Sequence, residues 1–487
     1  MPIKLLVVSS NHAPAGLVEA MEAVAGGDLQ IVRHLRDLTP DHVGPARSIP
    51  VSGTNAKEFQ SDRRTYTGAA KDFVLSPDFH PGRDLFVELL ERTPVTGEAR
   101  SHPFRELHSK HDRYHVLLDT IANDLRASGI DQCLFFELPG QAYDIAVYQV
   151  ARYLGLPVTI LSQSVLPGRF FSLKDPKEYG VFVPTPDAMA YPMAEAAGTE
   201  LFSVQNNVRE GKSSDSVTIS SMLKLAWSLL PGRPLRALNP GYLRKTLSRI
   251  QSNYGALPEW RDPFAQFFHE DRLAYFDHIA ACEDKFDLSG EYVYFPLDDC
   301  PPITTSDLRG RFRDQATAIE CLSAILPEGV RILVKETSSR DANLRGPLFF
   351  HRLRRIPSVT ILPISADNKS VMKNARFLAT VAGMAGWEAI RTGKKALVFG
   401  NAWYRKLPGA FEYSEKTTYS HIVSTHHNFQ DLEKAVGSLA NQAHKGVIDQ
   451  RYAAVSDEFD AASDNRTVAK SLLGLLRGDL VHTFGQA

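Results

Sequence analysis

Short apolar runs alternating with amphipathic segments constrain this chain more than any other feature. Lys4–Val8 is such a run, followed by a polar turn (Ser9, Ser10, Asn11, His12) and a helical pattern from Leu17 to Val24. Gln132–Phe136 is another, followed by Leu138-Pro139-Gly140, a helix from Tyr143 to Leu154 and the strand Val158–Ser162. Gly155 supplies a natural helix stop and Pro157 blocks continuation. After residue 286 the alternation resumes: strands at Glu291–Leu297, Arg331–Lys335, Val359–Pro363, Phe377–Val381 and Lys395–Gly400, with helices at Asp314–Leu326, Pro347–Arg354 and Trp387–Thr392. Buried strands separated by helices imply mostly parallel sheets covered on both faces.

A chain of 487 residues exceeds one ordinary core, so two lobes are expected. We read residues 1–185 as an N-terminal Rossmann-like domain and 286–455 as a C-terminal Rossmann-like domain. Residues 186–285, with helical patterns at Met222–Leu230 and Tyr242–Ile250, form a helical connector or insertion. Residues 456–487 form a final helix (Asn465–Leu476) and tail, able to pack on either lobe. The Pro-, Gly-, Ser- and Thr-rich stretch 40–105 reads as long loops. The fold class is α/β and GT-B-like, two Rossmann-like domains facing across a cleft.

A net charge of -1 offers no general attraction to nucleic acid, and none is expected as a partner. The scattered Cys133, Cys282, Cys300 and Cys321 fit neither a thiolate zinc site nor a disulfide framework. His108, His111 and His115 recur at helical spacing, but a solvated polar face explains them better than a metal site. No two aspartates stand two positions apart, against a metal-dependent Asp-x-Asp transferase. Neither metal nor cofactor is implied. No run reaches the roughly 20 apolar residues that span a bilayer. The chain is expected in the cytoplasm.

The sharpest motif is Val381-Ala-Gly-Met-Ala-Gly-Trp-Glu-Ala-Ile390, a strand entering a glycine turn that opens a helix. Gly383 and Gly386 would let a ligand approach the backbone of Met384 and Ala385, and the helix start favours phosphate. Glu388, read in the helix's first turn, could accept hydrogen bonds from ribose hydroxyls. In the first lobe, His12, Glu137 and Asp144 follow strand ends and are candidate bases or nucleophiles. Helix capping for His12 and Asp144, and a solvated loop charge for Glu137, are the competing readings.

The segment Gly383–Ala389, with Gly393-Lys394-Lys395, Phe399-Gly400 and Ala402-Trp403-Tyr404, resembles the capsule polysaccharide synthesis proteins, the KpsC/KpsS-like β-Kdo transferases. Val293–Leu297, Thr304-Thr305, Asp314-Gln315 and Leu333–Glu336 agree in order, so the resemblance covers about residues 290–405. It extends weakly to Tyr148, Ala151, Leu154-Gly155 and Arg169-Phe170. It implies a glycosyltransferase that uses a nucleotide-sugar donor, with CMP-Kdo the family's donor, and an oligosaccharide or lipid-linked glycan acceptor in surface polysaccharide synthesis. Lys335 would act as a point charge on the donor. Where the family has His-Pro this chain has Thr337-Ser338, which can donate to phosphate without an imidazole's charge. The family's Thr of the glycine turn is Met384.

A lipid-linked acceptor would entail peripheral contact with the inner membrane or an export complex. The basic residues Arg244, Lys245 and Arg249 could provide it, although a connector with a solvated basic face is the favoured reading. The rival readings of function are a non-catalytic scaffold that binds nucleotide sugar or glycan, and another enzyme of the same fold such as a nucleotide-sugar epimerase.

Overall fold

The computed structural model describes residues 2–9, 12–36, 66–92, 103–185, 188–192, 287–298, 307–336, 347–363, 366–426, 428–455 and 460–485. The expected helices at 222–230 and 242–250, Thr304-Thr305, and the basic residues Arg244, Lys245 and Arg249 lie outside them.

The first sheet is built from β1 (Ile3–Ser9), β2 (Leu29–Arg36), β3 (Gln132–Phe135), β4 (Val158–Gln163), β5 (Arg169–Leu173) and β12 (His444–Lys445). Its order is β12-β5-β4-β3-β1-β2, parallel except that β5 runs against both β4 and β12. Helices α1 (Leu17–Ala25), α2 (Lys71–Val74), α3 (Phe79–Arg92), α4 (Pro103–Ser128) and α5 (Ala142–Tyr153) join these strands. The second sheet contains β6 (Tyr292–Pro296), β7 (Arg331–Lys335), β8 (Val359–Leu362), β9 (Leu378–Thr380), β10 (Ala396–Val398) and β11 (Ala410–Glu412). Its order is β11-β10-β9-β6-β7-β8, parallel throughout. The second lobe also holds α6 (Gln315–Ile325), α7 (Pro347–Arg354), α8 (Asn368–Asn374), α9 (Met384–Arg391) and α10 (Tyr419–Ser424).

The architecture is therefore α/β and GT-B-like, with two Rossmann-like domains. From β6 onward the second sheet has the strand order 3-2-1-4-5-6, and the first begins 2-1-3-4-5. Both are doubly wound, and each has one point where the winding reverses. That point lies between β6 and β9 in the second sheet and between β1 and β3 in the first.

After β11 and α10, α11 (Phe429–Gln442) runs along residues 183–185 and meets Tyr191. Glu433 O accepts from Tyr191 N at 2.9 Å, and Ser438 Oγ accepts from Thr185 N at 2.7 Å. The chain then adds β12 to the first sheet, antiparallel to β5. The final helix, α12 (Ala461–Arg477), packs on the first lobe, with Val468, Leu472, Leu473 and Leu476 meeting Leu5, Val7, Leu17 and Met21. Asn465 Nδ2 donates to Ala15 O at 2.9 Å, and Gln132 Nε2 to Leu476 O at 3.0 Å.

The lobes share one apolar core. Phe171 stacks on Trp403 at 5.9 Å, Trp403 meets Trp387 at 4.7 Å, and all join one buried cluster with residues of both sheets. Gly180 (φ +85°) is required here, because a Cβ would meet Ala402 O at 2.2 Å. Arg313 and Glu88 add an ion pair between the lobes at 3.3 Å.

Part of the stretch expected as loops, 40–105, is helical. Its residues 71–74 and 79–92 form α2 and α3, and α4 begins at Pro103. Pro81 lies in the first turn of α3, where its missing N–H is not needed. Gly82 lets the helix approach the Gln149 side chain, whose Nε2 would lie 2.3 Å from a Cβ. The Pro-Gly pair that reads as a loop signal thus serves helix packing.

Two half-buried histidines, His444 and His482, make stability depend on pH. Burial pushes both His444 and His482 down to about 4, against an ordinary imidazole near 6.5, and His444 Nε2 lies 2.8 Å from Ser172 Oγ. Both prefer the neutral form when folded, so their contribution is present above about 6.5 and is lost as pH falls toward 4. Urea midpoints measured between pH 7.5 and 4.5 should fall steadily, and His444→Gln should flatten that slope.

Candidate functional site

Ligands of doubly wound sheets collect beyond the carboxyl ends of the strands where the winding reverses. In the second lobe that position holds Asp298, just after β6, and the turn from β9 into α9. The buried Asp298 carboxylate closes the turn. Its Oδ1 accepts from Thr380 Oγ1 at 2.9 Å and its Oδ2 from Ala382 N at 3.2 Å. Gly383 N donates to Thr380 Oγ1 at 3.1 Å. Gln315 of α6 fixes the Asp298 backbone, accepting from its N–H at 2.9 Å and donating to its carbonyl at 3.1 Å. The Tyr404 hydroxyl donates to Gly383 O from the other side. Burial, then the Asp298 charge, hold that phenol well above its usual range.

The two glycines are explained by these neighbours. A Cβ on Gly383 would lie 2.0 Å from Asp298 Oδ1, and one on Gly386 would lie 2.2 Å from the Tyr404 hydroxyl. The chain's own side chains thus occupy the space beside both glycines. Their amides are used as well, since Gly386 N donates to Gly383 O at 3.2 Å. The Met384 and Ala385 amides, first and second in α9, have no hydrogen-bond partner among the described residues. Orphan amides at a helix start are what an anion requires.

Helix α9 begins at Met384 rather than Trp387, because Gly383 is extended (φ -73°, ψ 155°) and serves as the cap. Glu388 consequently sits in the second turn, not the first. Its carboxylate pairs with Arg391 at 2.7 Å and is only 16% exposed. Burial raises its pKa, opposed by Arg391. Lys335, at the end of β7, is buried, and its Nζ donates to Asn368 Oδ1 at 2.7 Å. Tyr294 donates to the same oxygen at 3.0 Å. Burial lowers the Lys335 pKa, with Asp367 opposing. Thr337 and Ser338 lie outside the described residues.

In the first lobe the reversal point lies between Ser9, which ends β1, and Phe135, which ends β3. His12 and Glu137 follow those strands, His12 exposed and Glu137 half-buried. Asp144 is the third residue of α5, where its Oδ2 accepts from Gln141 N at 3.4 Å in a cap. Ser9 Oγ lies 2.8 Å from His34 Nε2.

The returning chain also reaches this point, although no periodicity in residues 446–451 signals it. Gln163, the last residue of β4, accepts at Oε1 from Ile448 N at 2.8 Å and Asp449 N at 3.2 Å. Gln450 N donates to His12 O at 2.9 Å. Arg451 Nε donates to both Asp449 oxygens, at 2.9 and 3.0 Å. Burial opposes the Arg451 charge, but Asp449, then Tyr452 and Glu137, hold it above its usual range. Asp298, Gln315 and Tyr404 are likewise site residues that sequence reasoning missed, although Asp298 could have been flagged as a carboxylate just beyond a buried strand.

On helix α4, His108 and His111 have ring centroids 6.5 Å apart, and His115 packs on Phe79 at 4.9 Å. A cavity of about 340 Å³ lies between α2 and α4, lined by Lys71, Leu75, His115 and Asp119. Among the described residues no helix is long and apolar enough to cross a membrane.

No family model matches the chain, and no curated protein sequence matches it. Among solved structures, it is similar to the β-Kdo 2,4 transferase of Thermosulfurimonas dismutans KpsC at 14% identity and a TM-score of 0.30, over 63% of this chain and 79% of that one. The β-Kdo 2,7 transferase of the same KpsC gives 8% and 0.32, over 72% and 89%. The Methanocaldococcus jannaschii UDP-GlcNAc 2-epimerase, in complex with UDP-GlcNAc and UDP, gives 12% and 0.24, over 90% and 100%.

The glycine geometry has a direct consequence for stability. Gly386→Ala should destabilise the unliganded protein by about 1–3 kcal/mol, the usual cost of overpacking, as its methyl meets the Tyr404 ring. Denaturant unfolding without any nucleotide checks this. An unchanged midpoint would show that the contact yields freely.

Proposed function

We propose that the protein is a glycosyltransferase that takes a sugar from a nucleotide donor, CMP-Kdo in the reading the sequence resemblance favours, and passes it to a glycan or glycolipid acceptor. The observation that carries this reading is the second lobe's winding reversal, where the β9–α9 turn leaves the Met384 and Ala385 amides unpaired at the carboxyl ends of β6 and β9. A donor phosphate would accept from those amides, with the helix dipole in its favour. Glu388 and Arg391 would meet the ribose as a polar pair, and Lys335 would supply positive charge from β7. Thr337 and Ser338 would complete the phosphate contacts.

The acceptor would lie at the first lobe's reversal point, across a cleft from the donor. Glu137 or His12 would take the proton from the attacking hydroxyl as it bonds to the donor's anomeric carbon, and the nucleotide would leave with the bonding electron pair. Asp144 is the third candidate, and its cap with Gln141 would have to open for it to act. Peripheral membrane contact belongs to this reading only if the acceptor is lipid-linked.

The rival scaffold reading draws on one observation: Asp298 already satisfies part of the turn that would greet the donor. A single substitution separates the two. Proline is tolerated at the first position of a helix and removes its amide, and Gly383 has the extended conformation that a residue before proline needs. Met384→Pro should therefore leave the unliganded melting temperature nearly unchanged while deleting one phosphate donor. For the wild type, CMP or UDP at a hundred times its dissociation constant should stabilise the fold by about 2.7 kcal/mol, visible as a melting shift. In Met384→Pro most of that shift should vanish. If no nucleotide shifts the wild type, or the variant shifts equally, the turn is structural only. Sugar transfer from CMP-Kdo, tested beside UDP- and GDP-sugars, then distinguishes enzyme from scaffold.

A further inference from the structure

The chain's return to the first lobe brings charged groups to that lobe's reversal point that its own strand–helix units do not supply. Residues 446–451 are pinned there along their backbone. Gly446 N donates to Gly168 O at 2.8 Å and Val447 N to Asp464 Oδ2 at 2.9 Å, with Gln163 and His12 O receiving the next three amides. The backbone carrying Arg451 is thus fixed before any ligand arrives.

The guanidinium is fixed too. Asp449 engages Nε and Nη2, and Arg451 N also donates to Asp449 Oδ1 at 2.9 Å. Nη1 has no hydrogen-bond partner among the described residues, and about a third of the side chain (34%) is open to solvent. Glu137 is near enough for its charge to act on this guanidinium. Among the described residues the charges that act on Arg451 are those of Asp449, Tyr452 and Glu137, and its neighbour Gln450 donates to His12 O.

We propose that Arg451, oriented by Asp449, forms with Glu137 a subsite for the hydroxyl groups of a neutral sugar. That this sugar is the acceptor rests on the transferase reading above. The location follows from the strand order, since ligands of such sheets gather where the winding reverses. The class follows from charge. Asp449 is clamped to the guanidinium and the Glu137 charge also acts on it, so its positive charge is offset and a phosphate or carboxylate would gain little. A sugar hydroxyl both donates and accepts, and a pair of them can give a hydrogen to Glu137 while accepting one from Nη1. Clamping by Asp449 lowers the ordering cost on binding, which a weak polar ligand needs.

Saturation-transfer NMR with methyl glycosides of glucose, galactose and N-acetylglucosamine, beside glucuronate and inorganic phosphate, tests the proposal. At least one neutral glycoside should receive transfer from the wild type and bind more tightly than glucuronate. Arg451→Gln should weaken that glycoside fivefold or more. Arg451→Lys keeps the charge and a partner for Asp449 but loses the planar fork, and should fall between; it carries the test if the Gln variant does not fold. The proposal is overturned if no neutral glycoside binds, if only the anions bind, or if the variants bind the glycoside as the wild type does. A CMP titration on the same samples separates the two readings. Glycoside binding with no effect of CMP or of UDP, titrated in the same way, would leave the subsite standing and remove the nucleotide site, and Arg451→Gln should leave the nucleotide response unchanged.

Discussion

The Asp298 carboxylate holds the second lobe's reversal point together. It spans from the end of β6 to the turn beyond β9, the two strands between which the sheet changes direction. A buried carboxylate is tolerated only when hydrogen bonds replace its water. Here a hydroxyl and an amide do so, while Gln315 holds the backbone from α6. That bonding sets where Gly383 lies, and Gly383 as cap sets where α9 begins. The start of α9 decides which amides are left unpaired and which turn carries Glu388. The glycines then follow as clearances around Asp298 and Tyr404.

The same turn is tied into the joint between the lobes. Trp387, in the first turns of α9, meets Trp403, and Trp403 stacks on Phe171 of β5. Tyr404, the neighbour of Trp403, bonds the turn itself. Residues 402–404 therefore touch the first lobe on one side and the glycine turn on the other. The Gly180 backbone, pressed against Ala402 and Trp403, leaves this contact little room to shift. With α12 packed on α1, the first and last of the described helices both belong to the first lobe.

Much of the fold was legible because parallel strands buried on both faces write themselves as apolar runs. The runs at 4–8, 132–136, 331–335 and 396–400 all coincide with strands. Less legible were elements whose signal is tertiary. The two-residue β12 has no periodicity to detect, and α3 hides behind Pro81-Gly82. The GT-B-like class depended only on alternation, so these losses did not affect it. For the site, the sequence showed that a glycine turn opens a helix, but it could not show what fills the space beside each glycine. A ligand and a buried side chain leave the same vacancy in the sequence. The positions of His12 and Glu137 beyond strand ends were legible, whereas their place at a winding reversal needed the strand order.

The two reversal points differ in chemistry, and the difference has a physical origin. In the second lobe the carboxylate nearest the turn is buried and used, leaving unpaired neutral amides at a helix start on the half-buried Met384 and Ala385. Such a surface suits negative charge. In the first lobe the accessible groups are a guanidinium and carboxylates side by side, which offer acceptors and a donor with no excess of positive charge. That surface suits hydroxyls rather than anions. The asymmetry arises because only the first lobe receives the returning chain. Asp449 and Arg451 come from beyond the second domain's last strand, so the first lobe's surface is completed by residues that reach it only after the second lobe has been traversed. Any change that displaces 446–451 would therefore alter the first lobe's site without touching the β9–α9 turn.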